Sequence, residues 1–375
     1  MHTVLPDCIE CYPTVFAVNN EYQIFIPFKL SAIVWIQVGE NTYFDDSNGI
    51  LRSNINIHRI LVPTDKLDYY KEYTVCYRLM IDRRPYFPIS EDERRFTVTF
   101  KPIVSGKLNI YLLSDAHNLE AEPVKAGSYF GDDLDLLILN GDIPNHSGDI
   151  ENFNSVYRIA SGITKGRIPV VFSRGNHDTR GIHAEEFGLY TPTYMGKTYY
   201  TFRVGSVWGL VLDCGEDKPD TNDEYGNTIC FHNFRLQETQ FLEKVVASAK
   251  SEYDAPGIEY KLIICHIPFT HTFKPPFNIE KDIYSQWANL LREHIRPHML
   301  LFGHMHQSRF CPIGDEWDDL GQPCDAVVAG IPFKSTEKNV DYCGAAIQLT
   351  GKHGTVLFNK ASGVIEGKHE FLLHD

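Results

Sequence analysis

From residue 107 onward, short apolar runs alternate with segments of helical period, and this alternation is the feature that most constrains the fold. Apolar runs in "KLNIYLLSDAH" (107–117) and "LDLLILNGDI" (134–143) precede a helical pattern in "IENFNSVYRIASGIT" (150–164), and the same order recurs further along the chain. A strand that is apolar throughout must be covered on both faces. The sequence therefore predicts a layered α/β domain built on mostly buried sheets.

The first hundred residues carry a different pattern. Runs such as "YQIFIPFKL" (22–30) and "AIVWIQVG" (32–39) are rich in β-branched and aromatic residues, and turn residues separate them. We therefore predict two domains, because 375 residues exceed what one compact domain usually needs. A small β-sandwich of the immunoglobulin or fibronectin kind is expected over residues 1–103, and the α/β domain over residues 104–375.

Charge and cysteine content bound the function. The formal net charge of −14, without a block of basic residues, argues against nucleic acid or an anionic membrane as the principal partner. No apolar run has the length that a bilayer requires, and the first residues do not resemble a secretory signal. Nine scattered cysteines favour free thiols in a reducing compartment. We expect a cytoplasmic protein, and the oligomeric state stays open.

In the larger predicted domain, polar side chains follow the apolar runs at the points where strands end. Ligand sites of open α/β sheets collect there. Each short motif is weak by itself, since a lone "DAH" or "GD" is often a turn and a histidine among apolar residues is often a hydrogen-bonded core residue. Their joint occurrence is what predicts a metal site, and the residues concerned are Asp115, His117, Asp142, Asn176, His177, His266, His304 and His306.

Spacing adds an expectation about which of these side chains act together. In an extended chain, residues i and i+2 face the same way. On that basis Asp115 and His117 are expected to hold one metal, and His304 and His306 to serve two neighbouring ions.

The series "DAH", "GD", "GNHD", "CH" and "GHMH" resembles the pattern of the calcineurin-like metallophosphoesterase superfamily, which is D-x-H, G-D, G-N-H-[DE], H and G-H-x-H. The match covers roughly residues 107–360. The β-rich region in front is similar to the layout of purple acid phosphatases. The resemblance implies an α/β (α+β) four-layer sandwich, with two mixed β-sheets flanked by helices and a small all-β sandwich domain before them.

The resemblance also implies roles. One metal would be held by Asp115, His117 and His306, the other by Asn176, His266 and His304, and Asp142 would bridge them. The implied ions are two divalent or trivalent transition metals, such as Mn, Fe or Zn. The implied reaction is hydrolysis of a small phosphomonoester by attack of a metal-bridging hydroxide on phosphorus. His177 would assist the leaving group rather than ligate, which makes His177 and Asp142 the candidate catalytic residues.

One position departs from purple acid phosphatases. Those proteins have G-D-x-x-Y, whose tyrosinate ligates ferric iron, whereas this chain has "GDIPN" with Asn145 at the tyrosine position. We therefore expect no tyrosinate–iron colour.

Substrate contacts are predicted less specifically. Arg180, with Asn176 and His177, is the candidate phosphate-binding group, while Arg174 could equally pair with surface carboxylates. The acidic stretch "DCGEDKPD" (213–220) follows a strand and could lie near the mouth of the site, but it is interpreted as a solvated loop. Two other functions stay open: a phosphodiesterase acting on nucleotides or glycerophosphodiesters, and a catalytically inactive metal-binding interaction protein.

Overall fold

The computed structural model describes residues 4–330 and 341–374. The first hundred residues form mainly strands, as their β-branched and aromatic content predicts. The two apolar runs quoted from this region, residues 22–30 and 32–39, each contain a strand. In chain order the elements are β1 (Thr14–Val18), β2 (Glu21–Pro27), β3 (Ala32–Val38), β4 (Asn41–Phe44), β5 (Asp46–Ser47), β6 (Ile50–Leu51), β7 (Ile57–Pro63), α1 (Thr64–Tyr70), β8 (Glu72–Asp82), β9 (Ile89–Ser90) and β10 (Arg94–Thr99).

Strands and helices alternate beyond residue 106, as predicted. None of the described helices is both long enough and apolar enough to cross a bilayer. The elements are β11 (Lys107–Leu113), α2 (Ala121–Gly127), β12 (Leu136–Asn140), α3 (Asn154–Thr164), β13 (Val170–Ser173), α4 (Phe187–Tyr190), β14 (Tyr200–Val204), β15 (Val207–Leu212), α5 (Phe231–Ala247), β16 (Tyr260–Cys265), α6 (Lys281–Leu290, continued by a π-helical turn over Leu291–Ile295), β17 (Met299–Phe302), β18 (Arg309–Cys311), β19 (Ala326–Val328), β20 (Cys343–Thr350), β21 (His353–Lys360) and β22 (Ile365–Leu372).

Two mixed sheets form the centre of the fold. The larger has nine strands in the order β22-β21-β20-β11-β12-β13-β1-β2-β7, and the second has six in the order β14-β15-β16-β17-β19-β18. Each contains a parallel core, β11-β12-β13 in the first and β15-β16-β17-β19 in the second. The carboxyl ends of neighbouring parallel strands lie at one edge of each sheet, which is where a site is expected.

Side chains alternate between two cores along the central strands. On β11, Ile110 belongs to the core between the two sheets, whereas Tyr111 belongs to the core under α3. On β16, Leu262 lies in the core between the sheets and Ile263 in the core under α5 and α6. The order is helices, sheet, sheet, helices, so the predicted four-layer α/β arrangement is confirmed.

The first hundred residues share a sheet with the rest of the chain. Strands β1, β2 and β7 extend the nine-stranded sheet, and β1 pairs in parallel with β13 through Phe16 opposite Val170. The longer of the remaining strands form a five-stranded sheet, β10-β8-β3-β4 with β9 on β8. Its Val34 and Val75 lie in the same core as Ile110. An amino-terminal all-β region is present, and the division into domains at residues 103 and 104 stays a prediction.

Candidate metal centre

The predicted ligands lie where the carboxyl ends of five strands meet. Residues that follow β11, β12 and β13 in the nine-stranded sheet come together with residues that follow β16 and β17 in the six-stranded sheet. The parallel strands of both sheets run toward the same cleft, so their carboxyl ends lie together there. The residues singled out by the strand-end rule therefore lie together in the structure.

Asp115, His117 and His306 form one compact group. A ligand atom from each lies within 4.8 Å of the other two. Asp115 Oδ1 is 3.6 Å from His306 Nε2, and the rings of His117 and His306 stack with centroids 5.2 Å apart at an angle of 8°. Three ligand atoms at this separation surround a volume that suits one cation. The structure thus brings together the three residues expected to hold the first metal.

Asp142 lies between this group and a second one. Its Oδ2 is 4.0 Å from His117 Nε2 on one side and 3.2 Å from His266 Nε2 on the other. On the second side, His304 Nδ1 is 3.0 Å from the side-chain oxygen of Asn176, and the rings of His266 and His304 have centroids 5.4 Å apart. Asp142 therefore lies between the two groups of candidate ligands.

Several polar atoms of this cluster are buried without a hydrogen-bond partner among the described residues. They are Asp115 Oδ1, both ring nitrogens of His117 and His266 Nε2. An unpaired buried polar atom normally costs about 1–3 kcal/mol or more, so native proteins rarely tolerate a group of them. Cations bound in this cluster would give Asp115 Oδ1, one ring nitrogen of His117 and His266 Nε2 a partner. This donor set fits a metal centre, and its mix of carboxylate, amide and imidazole groups suits Mn, Fe or Zn.

Electrostatics hold the groups in the forms that ligation requires. Burial opposes ionisation of Asp142, but the imidazole of His266 and then those of its other neighbours outweigh it and hold the pKa of Asp142 well below its usual range. Burial, followed by the neighbouring charge at His266, lowers the pKa of His304 to about 3. Burial also lowers the pKa of His117. Ligating carboxylates must be ionised and ligating imidazoles neutral, and these three already are.

His266 differs from the other histidines. Burial alone would lower its pKa, but the carboxylates of Asp142 and Asp115 raise the pKa of His266 to about 10. Its Nδ1 lies 2.7 Å from the backbone oxygen of Asn140, so Nδ1–H donates there and Nε2 faces the two carboxylates. A proton on Nε2 occupies the place where a cation would sit. A backbone acceptor on the far nitrogen is a common way to orient a metal-ligating histidine.

The backbone reaches this arrangement through left-handed conformations. The expectation that Asp115 and His117, or His304 and His306, share a face because the chain is extended is wrong. A left-handed backbone conformation at a residue other than glycine costs on the order of 1–3 kcal/mol, and such residues cluster at functional sites. The five candidate ligands with positive φ are Asp115 (54°), His117 (45°), Asp142 (53°), His304 (67°) and His306 (49°).

Glycines leave the space that these ligands occupy. A Cβ atom on Gly175 would stand 2.2 Å from Asp142 Oδ1, and one on Gly141 would stand 2.5 Å from His266 Nδ1. Gly141 also has a φ of +77°, which disfavours any other residue. These positions therefore need glycine for close approach as well as for the turn.

His177 lies at the rim of the cluster. Its backbone N–H donates to Asp142 Oδ1 at 2.8 Å, and its ring Nδ1 is 3.0 Å from the backbone oxygen of Asn145. With Nδ1–H donating to that oxygen, Nε2 accepts from Arg180 Nη1 at 3.3 Å. The His177, His117 and Asp142 side chains also come within 4.8 Å of one another, so distance alone would allow His177 to ligate.

Arg180 reaches the site, but its charge is shared with a buried acid. Its Nε and Nη2 donate to the two carboxylate oxygens of Glu216 at 2.7 and 2.8 Å, and these bonds, with the charge of Glu216, raise the pKa of Arg180 above its usual range. Nη1 is the nitrogen directed toward His177. Arg174 lies elsewhere: it pairs with the buried Asp213 at 2.7 Å and packs on the ring of Phe234.

The solvated-loop interpretation of "DCGEDKPD" is wrong for its central residues. Glu216 is only 1% exposed and also accepts hydrogen bonds from Thr179 and Tyr225. Asp217 is largely buried, and its Oδ2 lies 3.8 Å from His304 Nε2. The position of this acidic pair directly after β15 was the available signal, because β15 belongs to the same set of parallel strands as β16 and β17.

The family is established by the sequence of the α/β region. Residues 108–308, more than half of the chain, match the family model described as calcineurin-like phosphoesterase. The chain belongs to this family, and it is a hydrolase that acts on phosphoric ester bonds. No curated protein sequence matches the chain significantly.

Solved structures agree on the fold. A purple acid phosphatase, PPD1 from seeds of yellow lupin (Lupinus luteus), superposes with a TM-score of 0.58 at 14% identity, covering 96% of this chain and 74% of its own. A structure of PhoD superposes with a TM-score of 0.56 at 10% identity, covering 96% of this chain and 88% of its own. At these identities the likeness extends to the arrangement of sheets, including the amino-terminal region.

Proposed function

We propose that the protein is a dinuclear metal-dependent phosphoesterase that hydrolyses small phosphomonoesters. The observation that carries the proposal is the position of Asp142, whose carboxylate lies between two groups of ligand atoms, 4.0 Å from His117 Nε2 and 3.2 Å from His266 Nε2. Both distances are from Oδ2, since Oδ1 accepts from the backbone N–H of His177. An anionic carboxylate oxygen can bind two cations, whereas a neutral amide or imidazole in its place would not.

The ligands divide into two sets around that carboxylate. Asp115, His117 and His306 would hold one ion, and Asn176, His266 and His304 the other. When bound, two such ions would neutralise charge on the phosphoryl oxygens and lower the pKa of the attacking water toward about 7. Asn176 contributes a neutral oxygen, so more net positive charge remains for an anionic substrate. This local charge offsets the overall negative charge of the chain.

The remaining residues of the site position the substrate. His177, held through Nδ1 by the backbone oxygen of Asn145, would lie beside the oxygen that leaves phosphorus. It would donate to that oxygen from a protonated Nε2, and Arg180 Nη1 would then turn from Nε2 to the phosphate. Arg180 would contact a phosphoryl oxygen through Nη1, since its other two donor positions are occupied by Glu216. Asn176 and His177 complete the predicted phosphate-binding group.

The test combines elemental analysis with turnover of 4-nitrophenyl phosphate and bis(4-nitrophenyl) phosphate, each with added Mn²⁺. Two ions per chain and preferential turnover of the monoester are expected. Preferential turnover of the bis-ester would favour the phosphodiesterase alternative, and hydrolysis of neither would favour a metal-binding interaction protein. Asp142→Asn is expected to abolish hydrolysis, while the exposed Asp92→Asn serves as the matched control. Full activity in Asp142→Asn would overturn the assignment of the bridge.

A cytoplasmic location is proposed on the state of the thiols. All nine cysteines are free, including Cys214 and Cys265, whose sulfur atoms lie only 3.4 Å apart. Two buried thiols at this distance are compatible with a reducing compartment.

A further inference from the structure

A cavity of about 230 Å³ opens beside the candidate metal ligand His304. Its walls include the rings of Phe273, Phe277 and Tyr284, which lie on the segment between β16 and α6 and on α6 itself. The ring of Phe273 stands edge-on to that of His304, with centroids 5.9 Å apart at 85°. The inner end of the cavity is therefore the metal centre itself.

The wall on the far side is held in place. His271 Nδ1 is 2.8 Å from Asp319 Oδ2, and its ring stacks on that of Trp317 with centroids 5.2 Å apart at 22°. Phe273 then packs edge-on against His271 at 4.9 Å. Side chains that are already fixed lose little freedom when a ligand binds. The cavity is thus a preformed site with aromatic walls.

Charge determines which part of a substrate enters. Asp217, at the inner end, lies 3.8 Å from His304 and 4.0 Å from Arg180 Nη2. Its carboxylate would repel a phosphoryl group, which belongs instead beside Arg180 and the metal ligands. Arg180 Nη1 also meets His177 Nε2 at 3.3 Å, so Asp217 and Arg180 connect the cavity to the residue proposed to attend the leaving oxygen. Lys281 also lines the cavity and offsets the charge of Asp217, and most of the other lining residues are apolar or aromatic, which suits the uncharged part of the ester.

We propose that this cavity binds an aromatic ring carried by the alcohol or phenol of the phosphate ester, so that aryl and arylmethyl phosphate monoesters are the preferred substrates. The proposal rests on the phosphomonoesterase activity proposed above. A cavity of about 150 Å³ is sufficient for one benzene ring. The volume beside His304 accommodates a ring with small substituents, and the edges and faces of Phe273 and Phe277 offer it favourable ring–ring geometry.

Benzyl phosphate and ethyl phosphate test the proposal, because both release a primary alcohol and differ mainly in the ring. The metal-loaded protein is expected to show a kcat/KM about tenfold or more higher for benzyl phosphate. Phe277→Ala, which removes a wall, and Thr272→Trp, which fills the cavity, are both expected to bring that ratio close to one. Phe87→Ala is the matched control, since Phe87 is 82% exposed between β8 and β9 and should leave the ratio unchanged.

Direct binding separates this inference from the proposed function. Saturation-transfer NMR with benzyl alcohol is expected to detect contact with the wild-type protein and to lose it in Phe277→Ala. Hydrolysis of ethyl and benzyl phosphate at equal kcat/KM would overturn the cavity proposal and leave the function standing. No hydrolysis of either ester, with benzyl alcohol bound, would overturn the function and support the aromatic site. A higher kcat/KM for adenosine 5′-monophosphate than for ethyl phosphate, with no increase for benzyl phosphate, would also overturn the cavity proposal.

Discussion

Gly303 lies so close to Ser114 that a Cβ atom on residue 303 would stand 1.8 Å from Ser114 Oγ. Ser114 Oγ donates to Asp115 Oδ2 at 2.5 Å, and the backbone N–H of His304 donates to the same oxygen at 3.0 Å. This contact joins the end of β11 in one sheet to the end of β17 in the other. The two sheets meet here without space for a side chain.

Gly303→Ala is therefore expected to displace Ser114 and with it Asp115. Overpacking of this kind costs typically about 1–3 kcal/mol, and the metal content and turnover should fall with it. Urea unfolding and elemental analysis measure the two effects. Gly367→Ala is the control, because a Cβ there meets its nearest atoms at an ordinary 3.6 Å. Unchanged stability and metal content in Gly303→Ala would contradict the expected crowding.

Arg180→Ala should have two separable effects. It removes a phosphate donor, which is expected to raise KM about 10–100-fold for any phosphate ester. It also leaves the buried Glu216 without its main partner, which should lower the free energy of unfolding by about 2 kcal/mol or more. The double variant Arg180→Ala/Glu216→Gln is expected to recover stability while KM stays raised. An unchanged KM in both variants would rule out phosphate binding by Arg180.

His177→Gln tests assistance to the leaving group. The kcat for ethyl phosphate is expected to fall about 10²–10⁴-fold, since an alkoxide leaves poorly without a proton donor. The kcat for 4-nitrophenyl phosphate should fall much less, because that leaving group is stable as an anion. His183→Gln, at a histidine paired with Glu186, is the control. Equal losses on both esters would indicate a different role, such as ligation.

Asp68 gives a stability effect far from the metal centre. Its carboxylate accepts from Tyr22 Oη at 2.8 Å, and burial raises the pKa of Asp68 from 3.8 to about 6. The carboxyl group of Asp68 then binds a proton more readily in the folded state than in the unfolded state between these pH values. The contribution of Asp68 to stability is therefore greatest below pH 3.8 and falls as pH rises toward 6. Asp68→Asn should remove this loss and stabilise the protein at pH 7 by on the order of 1–2 kcal/mol. Unfolding curves of both proteins at pH 4 and pH 7 measure it; parallel curves would contradict it.

The meeting of the candidate ligands at one place was predictable because the sequence marks them locally. Asp115, Asp142 and His304 each follow an apolar run, and a strand end is a place that topology brings to one edge. The end of β15 was a signal for the position of Glu216, but its burial was not predictable from that signal, since its partner Arg180 comes from a different loop. An acidic stretch read by itself is indistinguishable from a solvated one until that partner is placed.

The participation of β1 in the nine-stranded sheet was also beyond the sequence pattern. The residue pattern of β1 fits a strand of a separate β-sandwich and a strand of the central sheet equally well. Strands of either kind can be buried on one face or on two. The strand that β1 joins contains Val170, about 150 residues further along the chain, and local propensity does not reveal such a partner. The left-handed conformations of Asp115 and His306 were likewise hidden, because aspartate and histidine adopt extended backbone more readily.

The parallel pairing of Phe16 with Val170 sets an order of events during synthesis. β1 leaves the ribosome about 150 residues before the strand it must join, which at about 5–20 residues per second is a delay of roughly 8–30 s. During that interval β1 is paired only with β2, and the backbone groups along its other edge are free to pair with another chain. Nascent chains of this protein should therefore depend on a holding chaperone until β13 emerges.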